Sequence, residues 1–93
     1  MPNGGTDPEY NGWTNRETWA KEAQLANDQA LYNRAMGIVK GIMAAAAPGR
    51  EAREASIRIV GKTLRSNFSA SPAERTAINW QEIAEAWVAN SES

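Results

Sequence analysis

Apolar residues recur along this chain at spacings of three and four, the period of an α-helix with one buried face. One stripe precedes Pro48-Gly49 and consists of Leu31, Tyr32, Ala35, Ile38, Val39, Ile42 and Met43. Another lies near the end of the chain and consists of Trp80, Ile83, Ala84, Trp87 and Val88. Both stripes predict helices that turn one side towards a common core.

The first helix is predicted from a start signal. Thr14-Asn15-Arg16-Glu17 has the form of a capping box, in which Thr14 accepts a hydrogen bond from the backbone of Glu17. The helix should run over residues 15–26. We expect its inward side to carry Trp19, Ala23 and Ala26, with Lys21 and Glu22 pointing elsewhere.

Polar caps and breakers divide the rest of the chain. Asp28 is expected to cap the second helix, which Pro48-Gly49 ends. A third helix should cover residues 50–66, followed by a short turn led by Pro72 and a last helix capped by Asn79. Gly37 and Gly41 lie four residues apart in the second helix, where we expect a close helix crossing or a bend.

No segment has the pattern of a β-strand, so we predict an all-α fold, a compact bundle of four main helices. Residues 1–9 contain two prolines and two glycines and are expected to form a mobile leader, with residues 10–93 as a single helical domain. The first and last helices should meet through their tryptophans. The predicted core consists of Trp19, Leu31, Ile38, Ile42, Ile59, Trp80, Ile83 and Trp87.

The composition narrows the possible chemistry. None of the 93 residues is cysteine or histidine, which removes thiolate nucleophiles, the commonest general base and the commonest metal ligand. Glu82 and Glu85 are three residues apart on a helix, but we interpret them as a solvated face. We therefore expect no enzyme activity, no cofactor and no metal. Without a long apolar run or a signal-peptide pattern, a soluble cytoplasmic protein with no membrane association is expected.

Charge is unevenly distributed, although the net charge is only −1. Residues 34–65 contain seven Arg or Lys and two Glu, whereas the segments on either side are acidic. Arg58, Lys62 and Arg65 form a basic stripe on the third helix. The stripe fits contacts with nucleic-acid phosphates, but a basic surface that complements the acidic ends, in this chain or in a partner, is the interpretation we favour.

The tryptophans allow two interpretations, a binding hot spot or the core of an alanine-rich domain. Trp13 precedes its helix and is the one that we leave free for a partner. The candidate partner-binding residues are Trp13, Arg58, Lys62, Arg65, Glu82 and Glu85. We expect a monomer or a small homo-oligomer.

The sequence YNGWTNRETWA at residues 10–20, followed by Leu25, Asn27-Asp28-Gln29 and Leu31-Tyr32, resembles the opening motif of a family of small proteins. These are encoded by bacteriophages, prophages and plasmids. Residues 79–85, NWQEIAE, resemble the end of the same family's sequences. The chain departs from the pattern at residues 21–24, KEAQ, where the family continues with apolar residues and another tryptophan.

The resemblance implies a mobile-element context and supplies no catalytic residues. In that context, our leading hypothesis is a stoichiometric inhibitor of a host protein complex, such as a CRISPR or restriction system. One alternative is a small nucleic-acid-binding regulator that uses the basic third helix. The other is a structural or assembly protein of a phage.

Overall fold

The computed structural model describes residues 12–92. Its helices are α1 (Arg16–Asn27), α2 (Gln29–Ala44), α3 (Arg50–Phe68), α4 (Pro72–Ala77) and α5 (Trp80–Glu92). No strand occurs among the described residues. The predicted all-α bundle of four main helices is therefore confirmed, with α4 as the short turn led by Pro72. The predicted leader, residues 1–9, lies outside the described residues.

Polar side chains begin four of the helices, and the caps of α2 and α5 are the predicted Asp28 and Asn79. Asp28 Oδ1 accepts from the Leu31 N–H at 3.1 Å, Ser71 Oγ from the Glu74 N–H at 3.2 Å, and Asn79 Oδ1 from the Glu82 N–H at 3.0 Å. At the start of α1 the prediction was wrong by one residue. Asn15, and not Thr14, is the cap, and its Oδ1 accepts from the Thr18 N–H at 2.8 Å.

The core lies where α3 and α5 pack against each other and α2 covers both. Trp80, Ile83 and Trp87 are buried there, as the apolar pattern of α5 predicts. Three further predicted core residues are half-buried and pack against its edge, namely Leu31, Ile38 and Ile42. The fully apolar centre of the bundle therefore comes mainly from α3 and α5.

Two core predictions were wrong. Ile59 is 51% exposed, because α3 turns inward the face that carries Ile57, Val60 and Leu64, which is centred about 130° around the helix from Ile59. Trp19 is only half-buried and is not part of the core cluster. The buried residues of α1 are Thr18, Lys21 and Leu25. Relative to the prediction, the helix is therefore rotated about its own axis by about one residue position.

Hydrogen bonds from polar side chains explain why α1 is turned in this way. Thr18 Oγ1 accepts from the backbone N–H of Asn79 at 2.8 Å. Lys21 is 6% exposed, and its Nζ donates to the backbone carbonyl of Phe68 at 3.1 Å and to Glu74 Oε1 at 2.9 Å. The carbonyls at the end of α3 lack helical partners, so the lysine serves as a charged cap there. The expectation that Lys21 points elsewhere was wrong.

Glycines in α2 and α3 differ in what surrounds them. A methyl group added at Gly37 or Gly41 would meet no atom within 4 Å, so the predicted close crossing does not occur among the described residues. At Gly61 the same methyl would lie 1.9 Å from Nε2 of Gln81. That amide donates to the carbonyl of Arg58 at 3.1 Å and joins α5 to α3.

Replacement of these glycines by alanine is therefore expected to have different effects. Gly37→Ala and Gly41→Ala should each raise the free energy of unfolding by about 0.5–1 kcal/mol, because alanine favours the helix and meets no obstacle. Gly61→Ala should give no such gain, because the methyl must displace Gln81 and break its hydrogen bond. Urea denaturation of the three variants measures the difference. An equal gain at all three positions would contradict the packing of Gln81 on Gly61.

Glu74 is expected to make stability sensitive to acid. The backbone N–H of Ala70 donates to its carboxylate at 2.9 Å, and this bond, followed by the bond from Lys21, lowers the pKa of Glu74 from its ordinary value. A carboxyl with a lowered folded-state pKa stabilises the fold above the unfolded value of about 4.3. This stabilisation is lost as the pH falls through the lowered pKa.

The measurement is the melting temperature of the wild type and of Glu74→Gln as the pH is lowered from neutrality. We expect the variant to melt at a lower temperature near neutral pH and to approach the wild type below the lowered pKa. Parallel curves, with a constant gap between the two proteins, would show that the charge on Glu74 contributes nothing.

Candidate functional site

A groove lies between the segment before α1 and the outer side of α5. Its volume is about 590 Å³, and it is lined by Gly12, Trp13, Glu22, Glu82, Glu85 and Ala86. We call it the Trp13 groove. Trp13 is half-buried, with one part packed against the core and the rest at the groove. The site therefore combines an aromatic surface with three carboxylates.

The segment that carries Trp13 is attached to α4 and α5 by hydrogen bonds. The backbone N–H of Thr14 donates to Glu82 Oε1 at 3.0 Å, and Asn15 Nδ2 donates to the carbonyl of Ala77 at 3.0 Å. Gly12 has φ +90°, a backbone conformation that favours glycine, and it turns the chain just before Trp13. The aromatic ring is thus held at the groove by contacts that are distant in sequence.

The opposite side of the groove is held by Trp87. Its Nε1 donates to Glu22 Oε2 at 3.1 Å, which fixes this carboxylate of α1 beside α5. The Trp87 ring also lies 5.7 Å from that of Tyr32, centroid to centroid. The first and last helices do meet, as predicted, but through Glu22 and Thr18 in place of Trp19.

Among the described residues that line the Trp13 groove, three are acidic and none is basic. Within residues 12–92, no group of three or more Asp or Glu side chains is placed to hold a metal ion. Glu85 is exposed, and its carboxylate faces solvent beside the tryptophan. An arrangement of this kind suits a cationic side chain, which a carboxylate pairs with and an indole face attracts.

The predicted basic stripe is divided between two surfaces. Arg58 lines a cleft of about 190 Å³ together with Glu54 and Glu85, so its surroundings are mixed in charge. Lys62 and Arg65 instead line a separate pocket with Arg75 of α4. Of the six candidate partner-binding residues, the structure brings together Trp13, Glu82 and Glu85 in one groove, whereas Arg58 lines a different cleft from Lys62 and Arg65.

Three residues of these surfaces were missed by the sequence analysis. Glu22 was expected to point elsewhere, because the turned face of α1 was not visible in the apolar pattern. Arg75 lies in a short helix far along the chain from Lys62, and Gln81 has no charge. The sequence feature that relates to Gln81 is Gly61, because a glycine inside a helical pattern can mark the close approach of another segment. In the structure, Gly61 is buried and that segment is the side chain of Gln81.

No helix within residues 12–92 is long and apolar enough to cross a membrane.

Comparisons with curated proteins and with solved structures found no match. The model of one protein family, described as a family of unknown function, matches residues 6–91. The matched segment includes α1 to α4, all of α5 except its last residue, Glu92, and the described residues that line the Trp13 groove. On this match the chain belongs to the DUF7249 family, a family of unknown function.

Proposed function

We propose that the protein is a non-catalytic binding protein that docks a basic surface of a partner protein into the Trp13 groove. The observation that carries the proposal is the position of Trp13 beside Glu22, Glu82 and Glu85. Tryptophan is enriched at the energetic centres of protein interfaces, where a few residues supply most of the affinity. Surrounding carboxylates add attraction for a basic partner and exclude an acidic one.

The groove is also held in shape before any partner arrives. The Glu82 carboxylate accepts a hydrogen bond from the backbone N–H of Thr14, and the Glu22 carboxylate accepts one from the indole N–H of Trp87. Two of the three carboxylates therefore have fixed positions. Preorganisation lowers the entropy cost of binding. The exposed Glu85 is the one that remains free to pair with an arginine or lysine of the partner.

The resemblance to proteins of phages, prophages and plasmids supports a target in the host cell. The specific form that we propose is stoichiometric inhibition of a host complex such as a CRISPR or restriction system. Complexes of this class carry basic channels for nucleic acid, and an acidic groove is complementary to such a surface. Binding there would block the channel without any catalytic step.

The test is a quantitative affinity purification from cells that carry such a system. The tagged wild type is compared with Glu85→Lys, which reverses a charge in the groove, and with Glu51→Lys. Glu51 is an exposed residue in the first turn of α3 and serves as the matched control. We expect a partner that is enriched by the wild type and by Glu51→Lys, and lost with Glu85→Lys.

Salt provides a second criterion within the same experiment. Because exposed charges are screened at higher ionic strength, retention of the partner should fall as the salt concentration of the wash rises. A partner that both charge variants retain equally would place the interface elsewhere on the molecule. No enriched partner, together with undiminished activity of the CRISPR or restriction system, would remove the proposal.

A further inference from the structure

A second polar pocket lies on the side of the molecule where α3, α4 and the first turn of α5 meet. Its volume is about 170 Å³, and three of its lining side chains are the cations Lys62, Arg65 and Arg75. The amide of Gln81 and the indole-bearing residue Trp80 complete the lining on the α5 side. None of the residues in the described part of the chain that line this pocket is acidic, in contrast to the Trp13 groove.

The three cations have no salt bridge to any carboxylate within residues 12–92. The basic residues that do form ion pairs are Lys21, Arg50 and Arg53. Like charges that share a pocket repel one another, and the repulsion is relieved when an anion occupies the space between them. The pocket is also next to the N-terminal end of α5, which carries partial positive charge.

We propose that this pocket binds a phosphate group. Guanidinium groups bind phosphate oxygens with paired hydrogen bonds, and a lysine adds a flexible point charge. Arg65 and Arg75 come from different helices and line the pocket together, so they can contact different oxygens of one phosphate. Gln81 contributes its side-chain amide, which donates a hydrogen bond to the backbone carbonyl of Arg58 and packs against Gly61.

The phosphate belongs either to a free small molecule or to a nucleic-acid backbone, and the chemistry of recognition is the same for both. Within residues 12–92, the pocket and the Trp13 groove have no lining residue in common. Phosphate binding is therefore independent of the docking function proposed above. Loss of the partner with Glu85→Lys and loss of phosphate with a pocket variant are separate results.

The experiment uses the full chain and two probes, inorganic phosphate and a short mixed-sequence single-stranded DNA. Each is titrated into isotope-labelled protein at constant ionic strength, and amide chemical shifts are recorded. We expect saturable shifts centred on Gly61, Arg75 and Gln81. Phosphate should also raise the melting temperature relative to chloride at equal ionic strength, because a ligand that binds only the folded state stabilises it.

Variants identify the groups that bind. Lys62→Ala and Arg75→Ala should each weaken binding about tenfold, the effect of removing one charge-assisted hydrogen bond. Arg58→Ala is the matched control, since Arg58 is an exposed cation of the same helix that does not line the pocket, and the variant keeps the backbone carbonyl that accepts from Gln81. All three positions are exposed, and circular dichroism checks that each variant is folded.

The two probes distinguish the sources of the phosphate. A nucleic-acid backbone is the natural ligand if DNA binds more tightly than inorganic phosphate and its affinity falls as salt is added. The slope of the logarithm of the binding constant against the logarithm of the salt concentration should then decrease by about one for each cation removed. If the two probes bind with equal affinity per phosphate group, the natural ligand is a small phosphate compound. Absence of saturable shifts with either probe overturns the proposal, as does binding that Lys62→Ala, Arg75→Ala and Arg58→Ala affect equally.

Discussion

Replacement of Trp87 by alanine is expected to lower the free energy of unfolding by about 3–5 kcal/mol, the usual cost of removing a large aromatic residue from a core. Trp87 is 3% exposed, and its ring lies beside that of Tyr32. The variant also loses the hydrogen bond from Nε1 to Glu22. Urea denaturation gives the change directly, and a loss below about 1 kcal/mol would place Trp87 outside the core.

The variant Trp87→Phe separates packing from hydrogen bonding. It keeps most of the ring but removes the N–H donor to Glu22. We expect it to recover more than half of the stability lost with alanine, leaving a deficit of about 1–2 kcal/mol from the lost bond and the smaller ring. If Trp87→Phe is as unstable as Trp87→Ala, the bond to Glu22 contributes more than the ring.

The second large effect is expected at Lys21. Lys21→Ala should lower the free energy of unfolding by about 2–3 kcal/mol, because it leaves the carbonyl of Phe68 without its donor and Glu74 without its cation. This loss of stability is smaller than that expected for breaking a fully buried ion pair, because the side chain of Glu74 is 36% exposed and solvent can replace part of the interaction.

Lys40→Ala is the control for this measurement. Lys40 is an exposed cation of α2, so its replacement should change stability by no more than about 0.5 kcal/mol. In a double-mutant cycle, Lys21→Ala and Glu74→Ala should be less destabilising together than the sum of the two single changes. Additive effects would mean that the two side chains do not interact in solution.

The apolar pattern predicted α5 most accurately, because Trp80, Ile83 and Trp87 are large apolar residues at helical spacing and their burial dominates that helix. It was least accurate for α1. There the largest apolar residue, Trp19, is half-buried, while Thr18 and Lys21 face inward. Hydrogen bonds to Asn79 and Phe68 determine this orientation, and such tertiary partners are not visible in periodicity.

The same limit applies to the surfaces. Trp13, Glu82 and Glu85 were each identified as candidates, but only the fold shows that they line one groove. Arg58, Lys62 and Arg65 share a stripe at helical spacing, yet Arg58 lines a cleft with Glu54 and Glu85, whereas Lys62 and Arg65 line a pocket with Arg75. Sequence spacing describes one helix at a time, whereas a binding surface depends on which side chains the adjacent helices contribute.

We propose that a protein partner binds at the Trp13 groove. Hydrogen exchange of the protein, alone and bound to the partner captured by affinity purification, tests it most directly. We predict slower exchange on binding in residues 12–22 and 82–86, with the outer face of α2 around Gly37 and Gly41 unchanged. Protection confined to that face of α2, with no change at the Trp13 groove, would contradict the claim.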